Sequence, residues 1–268
     1  MHTIDLARHL NRVRETCPLV HNITNHVAMN TMANVLLALG ASPAMAHARE
    51  EVDEFAALAD ALTLNIGTLS PDWVDAMDAA ARAANEAGTP WVLDPVAVGA
   101  TALRRKAGAR LLALSPTVVR GNASEIMALA EQGGGGQGVD STDTTEAAER
   151  ATVDLARRTG AVIAVTGETD LITDGERLAR VAGGHALMPR VTTLGCALTG
   201  VVGAHLAVAE DPFEASVAAL AGYAVAGSIA GENARGPGSF AVAFLDALHA
   251  LDTDTLTARA RLEITHAR

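Results

Sequence analysis

The chain has 268 residues, of which 49% belong to the hydrophobic set AVILMFWYC and 3% are aromatic. This composition indicates a folded protein whose core consists mainly of small aliphatic side chains. Lys and Arg number 20 against 31 for Asp and Glu, so the formal net charge is -11. This acidity argues against a nucleic-acid or anionic-membrane partner, because such surfaces need clustered basic residues.

Neither the cysteines nor the apolar segments indicate an exported or membrane protein. Cys17 and Cys196 are far apart in sequence and suggest no disulfide framework. The N-terminal stretch MHTIDLARHLNRVRE has the pattern of a charged amphipathic helix and not of a signal peptide. The longest uncharged run, 215–231, is slightly short of a membrane span and predicts a buried helix. We therefore expect a soluble cytoplasmic protein.

Short β-branched runs alternate with longer helical patterns along the first two thirds of the chain. This alternation is typical of a mostly parallel sheet with helices on both faces. The predicted strands are Leu62–Leu69, Pro90–Val96, Thr117–Asn122 and Ala161–Gly167.

Turn and cap residues delimit several other elements. A helix is predicted between Pro71 and the C-terminal cap Gly88, and another over His26–Gly40. Asp174-Gly175 predicts the turn of a hairpin. The C-terminal third is predicted to be helical, over Cys196–Glu210, Pro212–Asn233 and Ser239–Leu251.

No linker divides the sequence, so residues 1–268 are predicted to form one α/β domain. The single low-complexity patch, Glu131–Gly138, contains four consecutive glycines and favours a flexible surface loop over a phosphate cradle.

Polar residues follow several of the predicted strands. In an open α/β sheet, ligands bind beyond the carboxyl ends of the strands. Asp94 and Glu125 are hard oxygen donors suited to Mg²⁺, which takes one or two carboxylates besides phosphate oxygens and waters. Arg120 fits a phosphate, and Thr166-Gly167 offers a hydroxyl with an accessible backbone. These are the parts of a phosphoryl-transfer site.

Each of these residues also has a structural interpretation. Asn122 can cap the helix that begins near Glu125, and Arg120 can form a structural ion pair. Cys196, taken alone, reads as a small buried hydrophobe. Gly195-Cys196 nevertheless stands at a predicted helix start, which presents free N–H groups to an anion and can lower the pKa of a thiol.

Six motifs in order along the chain resemble one family. They are HNITNHVAMNTMANVLLALGASPAMAHA, VLDPVAVGAT, RGNASEI, VTGETDLITDG, GCALTG and GPGSFAVAFLDAL. The sequence resembles the hydroxyethylthiazole kinases from about His21 to Leu248. As a set the motifs are specific to that family.

The resemblance implies a ribokinase-like fold and an enzyme of thiamine biosynthesis and salvage. The implied reaction is the ATP-dependent phosphorylation of the primary alcohol of 4-methyl-5-(2-hydroxyethyl)thiazole, with Mg²⁺. It also implies a homotrimer with thiazole sites at the subunit boundaries.

The resemblance assigns roles to individual residues. Met45 falls on the thiazole contact, Arg120 and Thr166 on ATP contacts, and Asp94 and Glu125 near the metal and phosphates. Cys196 takes the position at which most ribokinase relatives carry the Asp that deprotonates the substrate. With the residues argued above, the predicted site comprises Cys196 and Gly195 for catalysis; Met45, Asn25 and Thr193 for the substrate; Arg120, Thr166, Gly167 and Asn122 for ATP; and Asp94 and Glu125 for the metal.

Three interpretations stay open at this stage. Cys196 either accepts the alcohol proton or only orients the alcohol, and helix capping explains Asn25 almost as well as a substrate contact. His21 and His26 match no common zinc spacing and favour hydrogen bonding or packing.

The chain departs from the family at one place. Thr193-Leu194 stands where the family reads Gly-Thr, which bears on the substrate and the rate.

The competing functions are another small-alcohol kinase of the superfamily, an ATP/ADP-dependent (S)-NAD(P)H-hydrate dehydratase, and a binding protein without catalysis. A kinase with another substrate would be expected to carry Asp at position 196.

Overall fold

The computed structural model describes residues 4–132 and 144–267. Of the loop predicted over Glu131–Gly138, residues 131 and 132 end a helix instead, and residues 133–138 lie outside the described residues. The described strands are β1 Leu19–Ile23, β2 Ser42–Ala44, β3 Ala61–Asn65, β4 Trp91–Asp94, β5 Val118–Asn122, β6 Val162–Thr166, β7 Thr169–Thr173, β8 Arg177–Ala182 and β9 Arg261–His266. The described helices are α1 Leu6–Thr16, α2 Met29–Leu39, α3 Val52–Leu58, α4 Pro71–Ala87, α5 Ala102–Leu112, α6 Ala123–Gln132, α7 Thr144–Thr159, α8 Leu194–Leu206, α9 Pro212–Gly231, α10 Pro237–Ala250 and α11 Thr253–Arg259.

All described strands join one sheet in the order β2-β1-β3-β4-β5-β6-β7-β8-β9. The strands from β2 to β6 pair in parallel, and β6 to β9 pair antiparallel. The mixed α/β architecture confirms the predicted fold class, and the turn at Asp174-Gly175 joins β7 to β8 as predicted. Because β1, β3, β4, β5 and β6 run in the same direction, their carboxyl ends meet at one edge of the sheet.

Helices cover both faces of the sheet, as predicted. One core lies between the sheet and α1, α2 and α8–α11, and a second lies between the sheet and α3–α7. Alternate residues of a strand contribute to opposite cores: Val92 belongs to the first core, whereas Trp91 and Leu93 belong to the second. Alternation of this kind makes the parallel strands apolar on both faces.

The predicted helix ends agree with the observed cap geometry. Helix α4 begins at Pro71, with the Ser70 hydroxyl accepting a hydrogen bond from the Trp73 N–H, and it ends at Gly88 in the left-handed conformation. Helix α2 likewise ends at Gly40, whose φ is 107°.

The C-terminal third is helical except at its end, where β9 pairs antiparallel with β8. The sequence analysis predicted no strand there and was wrong on this point. Strands β1 and β2 were missed as well. The prediction of one domain over residues 1–268 stays a prediction.

Among the described residues, α9 is long and apolar enough to cross a membrane by length and composition. Of its most apolar window, 78% is buried inside the structure. This burial agrees with the buried helix expected over 215–231.

Candidate active site

The candidate site lies at the carboxyl ends of the parallel strands, beside the first turn of α8. Asp94 ends β4 and is 1% exposed. Its Oδ2 accepts hydrogen bonds from Asn65 Nδ2 at 2.7 Å and from Thr199 Oγ1 at 2.8 Å. Arg120 Nη1 lies 3.6 Å from the same oxygen. Asp94 therefore connects its own strand β4 to β3, to β5 and to α8.

The other carboxylate oxygen of Asp94, Oδ1, has a different environment. Asp94 Oδ1 is buried and has no hydrogen-bond partner within the described part of the chain. Burial raises the pKa of Asp94 to about 6, although the nearby Arg120 guanidinium opposes the rise. The negative charge of Glu125 contributes further to the rise. A buried carboxylate with an unpaired oxygen favours a bound cation.

Cys196 is connected to Asp94 through two asparagines. Asn25 Nδ2 donates to Cys196 Sγ at 3.3 Å and to Asn65 Oδ1 at 2.9 Å. Asn65 in turn donates to Asp94, which completes a continuous chain from the thiol to the carboxylate. Asn25 also caps the following turn, because its Oδ1 accepts from the Ala28 N–H at 3.0 Å. Helix α2 itself begins after Ala28 without a side-chain cap, so Asn25 caps the preceding turn and not the helix, and its contact with the substrate stays a prediction.

The thiol of Cys196 is not activated in this setting. Burial raises its pKa above the ordinary value, and the charge of Asp94 raises it further. A helix start can lower the pKa of a thiol, but at Cys196 the effect of burial is larger. Because desolvation disfavours the thiolate, Cys196 is a neutral thiol near pH 7.

Gly195 brings the start of α8 against Arg120. A Cβ at Gly195 would lie 3.4 Å from Arg120 Nη2. Arg120 Nη2 also donates to Thr166 Oγ1 at 2.8 Å, so the guanidinium joins β5, β6 and the first turn of α8. Arg120 is 7% exposed, and its Nε lacks a partner among the described residues.

A second acid, the half-buried Asp170, is bonded to the turn after β6. The Gly167 N–H donates to Asp170 Oδ1 at 2.9 Å. Burial raises the pKa of Asp170 to about 6, against the opposing effects of the Gly167 hydrogen bond and of Arg120. The carboxylate of Asp170 therefore fixes the position of the accessible Gly167 backbone.

A cavity of about 650 Å³ opens beside these residues. Its lining includes Arg120, Thr166, Gly167, Asp170, Gly195 and Tyr223. This volume falls in the range of small-molecule and cofactor sites. An anionic ligand in the cavity would meet the Arg120 guanidinium and the start of α8.

Asn122 and Glu125 form the helix cap that the sequence analysis left open as an alternative. Asn122 Oδ1 accepts from the Glu125 N–H at 3.0 Å, and Glu125 Oε2 accepts from the Asn122 N–H at 2.8 Å. Glu125 Oε1 accepts from the Ala97 N–H at 2.8 Å. Glu125 thereby ties the segment after β4 to the start of α6.

Met45 and Thr193 lie at the margins of this arrangement. Met45 follows β2, is half-buried and packs against the core. Thr193 precedes α8 with φ 70° and ψ −2°, and its side chain does not cap the helix. The roles assigned to both residues stay predictions.

The paired histidines have structural contacts. His21 is buried, and its Nε2 lies 2.8 Å from the carbonyl oxygen of Ala46. The His26 ring packs edge-on against Trp73, with ring centroids 4.7 Å apart. Within residues 4–132 and 144–267, no three His, Cys, Asp or Glu side chains form a metal-binding group.

Sequence reasoning missed four residues of this region. Asn65 ends β3, Thr199 lies one turn after Cys196, Asp170 lies in β7, and Tyr223 donates through its hydroxyl to the Leu194 carbonyl at 2.7 Å. Asn65 could have been found as the polar residue that ends a predicted strand. The other three lie inside elements, where the strand-end rule gives no signal.

Comparison with known proteins identifies the family of the chain. The family model of the hydroxyethylthiazole kinase family matches residues 10–254. A hydroxyethylthiazole kinase of Cereibacter sphaeroides (strain KD131) is 63% identical over 255 residues, which cover 95% of this chain and 97% of the relative. One from Rhizobium leguminosarum bv. trifolii (strain WSM2304) is 63% identical over 94% of this chain and 95% of the relative.

Solved structures give the same result. A hydroxyethylthiazole kinase from Pyrococcus horikoshii OT3 superimposes with a TM-score of 0.91 at 43% identity, over 97% of this chain and 98% of that chain. The pyridoxal kinase of Staphylococcus aureus, solved with AMP-PCP and pyridoxal, has a TM-score of 0.62 at 15% identity, over 93% of this chain and 99% of that chain, and shares the fold alone. The chain belongs to the hydroxyethylthiazole kinase family and has its ribokinase-like fold.

Proposed function

We propose that the protein transfers the γ-phosphoryl group of ATP to the primary alcohol of 4-methyl-5-(2-hydroxyethyl)thiazole, in thiamine biosynthesis or salvage. The observation that carries the proposal is the chain of contacts from Cys196 through Asn25, Asn65 and Asp94 to Arg120, in a member of this family. It joins the predicted alcohol position to the predicted phosphate position.

ATP is proposed to occupy the cavity beside Arg120 and Thr166. The guanidinium of Arg120 and the first turn of α8 would face the outer phosphates, because both present N–H donors where negative charge develops. Gly167 follows β6 and Asn122 ends the neighbouring strand β5, and both are proposed to contact the nucleotide from the same side.

Cys196 is proposed to orient the alcohol as a neutral thiol. Its raised pKa disfavours the thiolate that a general base would need. Phosphoryl transfer through a loose transition state needs little base strength, since positioning and charge neutralisation carry most of the catalysis. As the alcohol oxygen forms the new P–O bond, the bond between the γ-phosphorus and the β–γ bridging oxygen breaks and ADP leaves, while the alcohol proton passes to an oxygen of the transferred phosphoryl group.

Mg²⁺ is the metal that the family implies, and two carboxylates suit it. Asp94 Oδ1 is buried without a partner, and Glu125 keeps unshared lone pairs although both of its oxygens accept backbone N–H groups. Mg²⁺ takes one or two protein carboxylates with phosphate oxygens and waters. Asp94 and Glu125 would hold the ion, which would neutralise phosphate charge when bound.

Replacing Asp94 tests this assignment. In Asp94→Asn we expect the activation of turnover by Mg²⁺ to shift to higher concentration, because one negative ligand is lost while the side-chain shape is kept. The measurement is the initial rate against Mg²⁺ at fixed ATP, with wild type alongside. An unaltered metal titration would reject Asp94 as a ligand.

A substrate panel tests the function itself. The protein is incubated with Mg²⁺-ATP and, in separate reactions, hydroxyethylthiazole, hydroxymethylpyrimidine, pyridoxal or hydrated NADH, and the products are identified by mass. We expect phosphorylated hydroxyethylthiazole as the main product. Phosphorylation of another alcohol, dehydration of the hydrate, or thiazole binding without turnover would each contradict the proposal.

We also propose a cytoplasmic homotrimer. Val27, Leu37 and Val242 are exposed apolar residues at or on α2 and α10, two helices that pack against each other. Such an apolar surface favours burial against another copy. Light scattering after size exclusion would give the mass of three chains if this is correct, and the mass of one or two chains if it is not.

A further inference from the structure

Arg104 on α5 binds backbone carbonyls at the ends of two strands of the site. Its Nη1 donates to the Ile66 carbonyl at 2.5 Å and to the Val96 carbonyl at 2.8 Å. Its Nη2 donates to the Gly67 carbonyl at 2.6 Å. The planar guanidinium is suited to this task, because its donors are fixed in a fork that reaches several acceptors at once.

The carbonyls belong to the segments that directly follow β3 and β4. Residues 66 and 67 follow Asn65, and Val96 lies two residues after Asp94. Asn65 and Asp94 are bonded to each other across the two strands. Arg104 therefore connects the ends of β3 and β4, the same two strand ends that the Asn65–Asp94 hydrogen bond connects.

Gly67, which Arg104 holds through its carbonyl, contacts both Asn65 and Asn25. The Gly67 N–H donates to Asn65 Oδ1 at 2.9 Å, and a Cβ at Gly67 would lie only 2.7 Å from the Cβ of Asn25. The Gly67 backbone thus sets the orientation of the Asn65 amide and packs against Asn25. Asn25 is the residue that donates to Cys196.

We infer that Arg104 is a positioning residue for phosphoryl transfer, acting through Gly67, Asn65 and Asn25 on the thiol of Cys196. The inference rests on the proposed function and names a further residue of that site. The guanidinium of Arg104 donates to the carbonyls of residues 66, 67 and 96, none of which is a proposed nucleotide residue. Its loss should therefore slow the transfer step and leave ATP binding intact.

Arg105 is a matched control on the same helix. It is exposed and donates from Nη1 to the Gly99 carbonyl at 2.8 Å, away from both strand ends. Arg104→Met and Arg105→Met remove the same charge from α5 one residue apart. A difference between them therefore reports the contacts of Arg104 and not the net charge of the protein.

The first experiment compares kcat and the KM for ATP in wild type, Arg104→Met, Arg104→Lys and Arg105→Met. We expect kcat to fall by about 10- to 100-fold in Arg104→Met, with the KM for ATP within about twofold of wild type, because misplacing a reacting group by an ångström has effects of this size. Arg104→Lys should recover part of the rate, since an ammonium can reach only some of the three carbonyls. Arg105→Met should match wild type.

Three results would overturn the inference. The first is an equal kcat in Arg104→Met and Arg105→Met. The second is a loss of ATP affinity in Arg104→Met as large as its loss of kcat. The third is a failure of both Arg104 variants to fold while Arg105→Met folds. The last two would assign Arg104 to general stability.

A second readout needs no kinase activity, so it separates this inference from the proposed function. In a Cys17→Ser background, Cys196 is the one remaining cysteine, and its alkylation by iodoacetamide is followed at fixed pH. We expect Arg104→Met to react several-fold faster than Arg105→Met, because releasing the Gly67 segment frees Asn25 and exposes the thiol. Equal rates would overturn the inference even if the substrate panel succeeds. If the panel fails, a difference in rates would still show that Arg104 acts on the Cys196 thiol, and only the phosphoryl-transfer role would be lost.

Discussion

At the residue scale, Thr193 is the most unusual backbone position beside the site. It has φ 70°, in the left-handed region that favours glycine, and it carries a β-branched side chain. A non-glycine residue costs about 1–2 kcal/mol there. The resemblance drawn from the sequence implies a glycine at this place, and the observed φ is one that glycine adopts without strain.

Replacing Thr193 with glycine should stabilise the protein. We expect Thr193→Gly to raise the free energy of unfolding by about 0.5–1 kcal/mol, since the relief of strain exceeds the entropic cost of a glycine. Thr192→Gly is the control, because Thr192 is not among the residues with positive φ. Urea unfolding monitored by circular dichroism measures both. A Thr193→Gly protein no more stable than Thr192→Gly would show that the turn is not strained.

The position of the site residues could be predicted from sequence better than their chemistry. Asp94, Arg120 and Thr166 end or nearly end successive parallel strands, so a shared sheet edge brings them together as expected. The raised pKa of Cys196 could not be predicted, because it depends on burial and on Asp94, 102 residues earlier in the chain. The position at a helix start indicated only that the pKa of the thiol can be lowered, and it left the role of Cys196 open.

At the element scale, α8 packs closely against the sheet because its glycines leave room. A Cβ at Gly203 would lie 2.9 Å from Thr63 Cγ2 and 3.2 Å from Val20 Cγ1. These atoms belong to β3 and β1. The close approach of α8 to the strands in turn sets where its first turn meets Arg120.

An alanine at Gly203 should therefore destabilise the protein. We expect Gly203→Ala to lower the free energy of unfolding by about 1–3 kcal/mol through overpacking. Gly222→Ala on α9 is the matched control: its Cβ would have Leu251 Cδ2 as nearest neighbour at 3.9 Å, so better helix propensity should stabilise by about 0.5–1 kcal/mol. Denaturant midpoints measure both variants. Similar shifts in the two would contradict this account of the α8 packing.

Elements with strong local signals were predicted, and those without were not. Helix α4 has Pro71 at its start and Gly88 at its end, so both boundaries could be read directly. Strand β1 contains the buried polar residues His21 and Asn22, and β2 has three residues including a proline. Strand β9 is an exception, because Leu262 and Ile264 alternate with polar residues in a strand-like pattern that the sequence analysis overlooked.

At the scale of the whole molecule, a buried histidine far along α8 from the site makes stability depend on pH. His205 is 3% exposed, and burial lowers its pKa to about 4. The unfolded chain binds this proton near pH 6.5, so the unfolded state carries more protons between about pH 6.5 and pH 4. The contribution of neutral His205 is therefore present above pH 6.5 and is lost as the pH falls toward 4.

Removing His205 should flatten this dependence. We expect wild type to lose up to about 3 kcal/mol more than His205→Leu between pH 7 and pH 4, because a shift of one pKa unit corresponds to about 1.4 kcal/mol. Burial also lowers the pKa of His9, which is retained in both proteins. Its own contribution to the pH dependence is therefore common to wild type and His205→Leu. Urea unfolding at several pH values measures the difference. Parallel stability curves would show that His205 is not the source.

The central claim is that Cys196 stands beside the alcohol that receives the phosphoryl group. Single-turnover transfer from radiolabelled ATP to hydroxyethylthiazole, compared in wild type and Cys196→Ala, tests it most directly. We predict that the transfer rate of Cys196→Ala falls by about 10- to 100-fold, since the alcohol loses its orienting group, while the affinity for ATP stays near wild type. Transfer at the wild-type rate by the folded Cys196→Ala protein would contradict the claim.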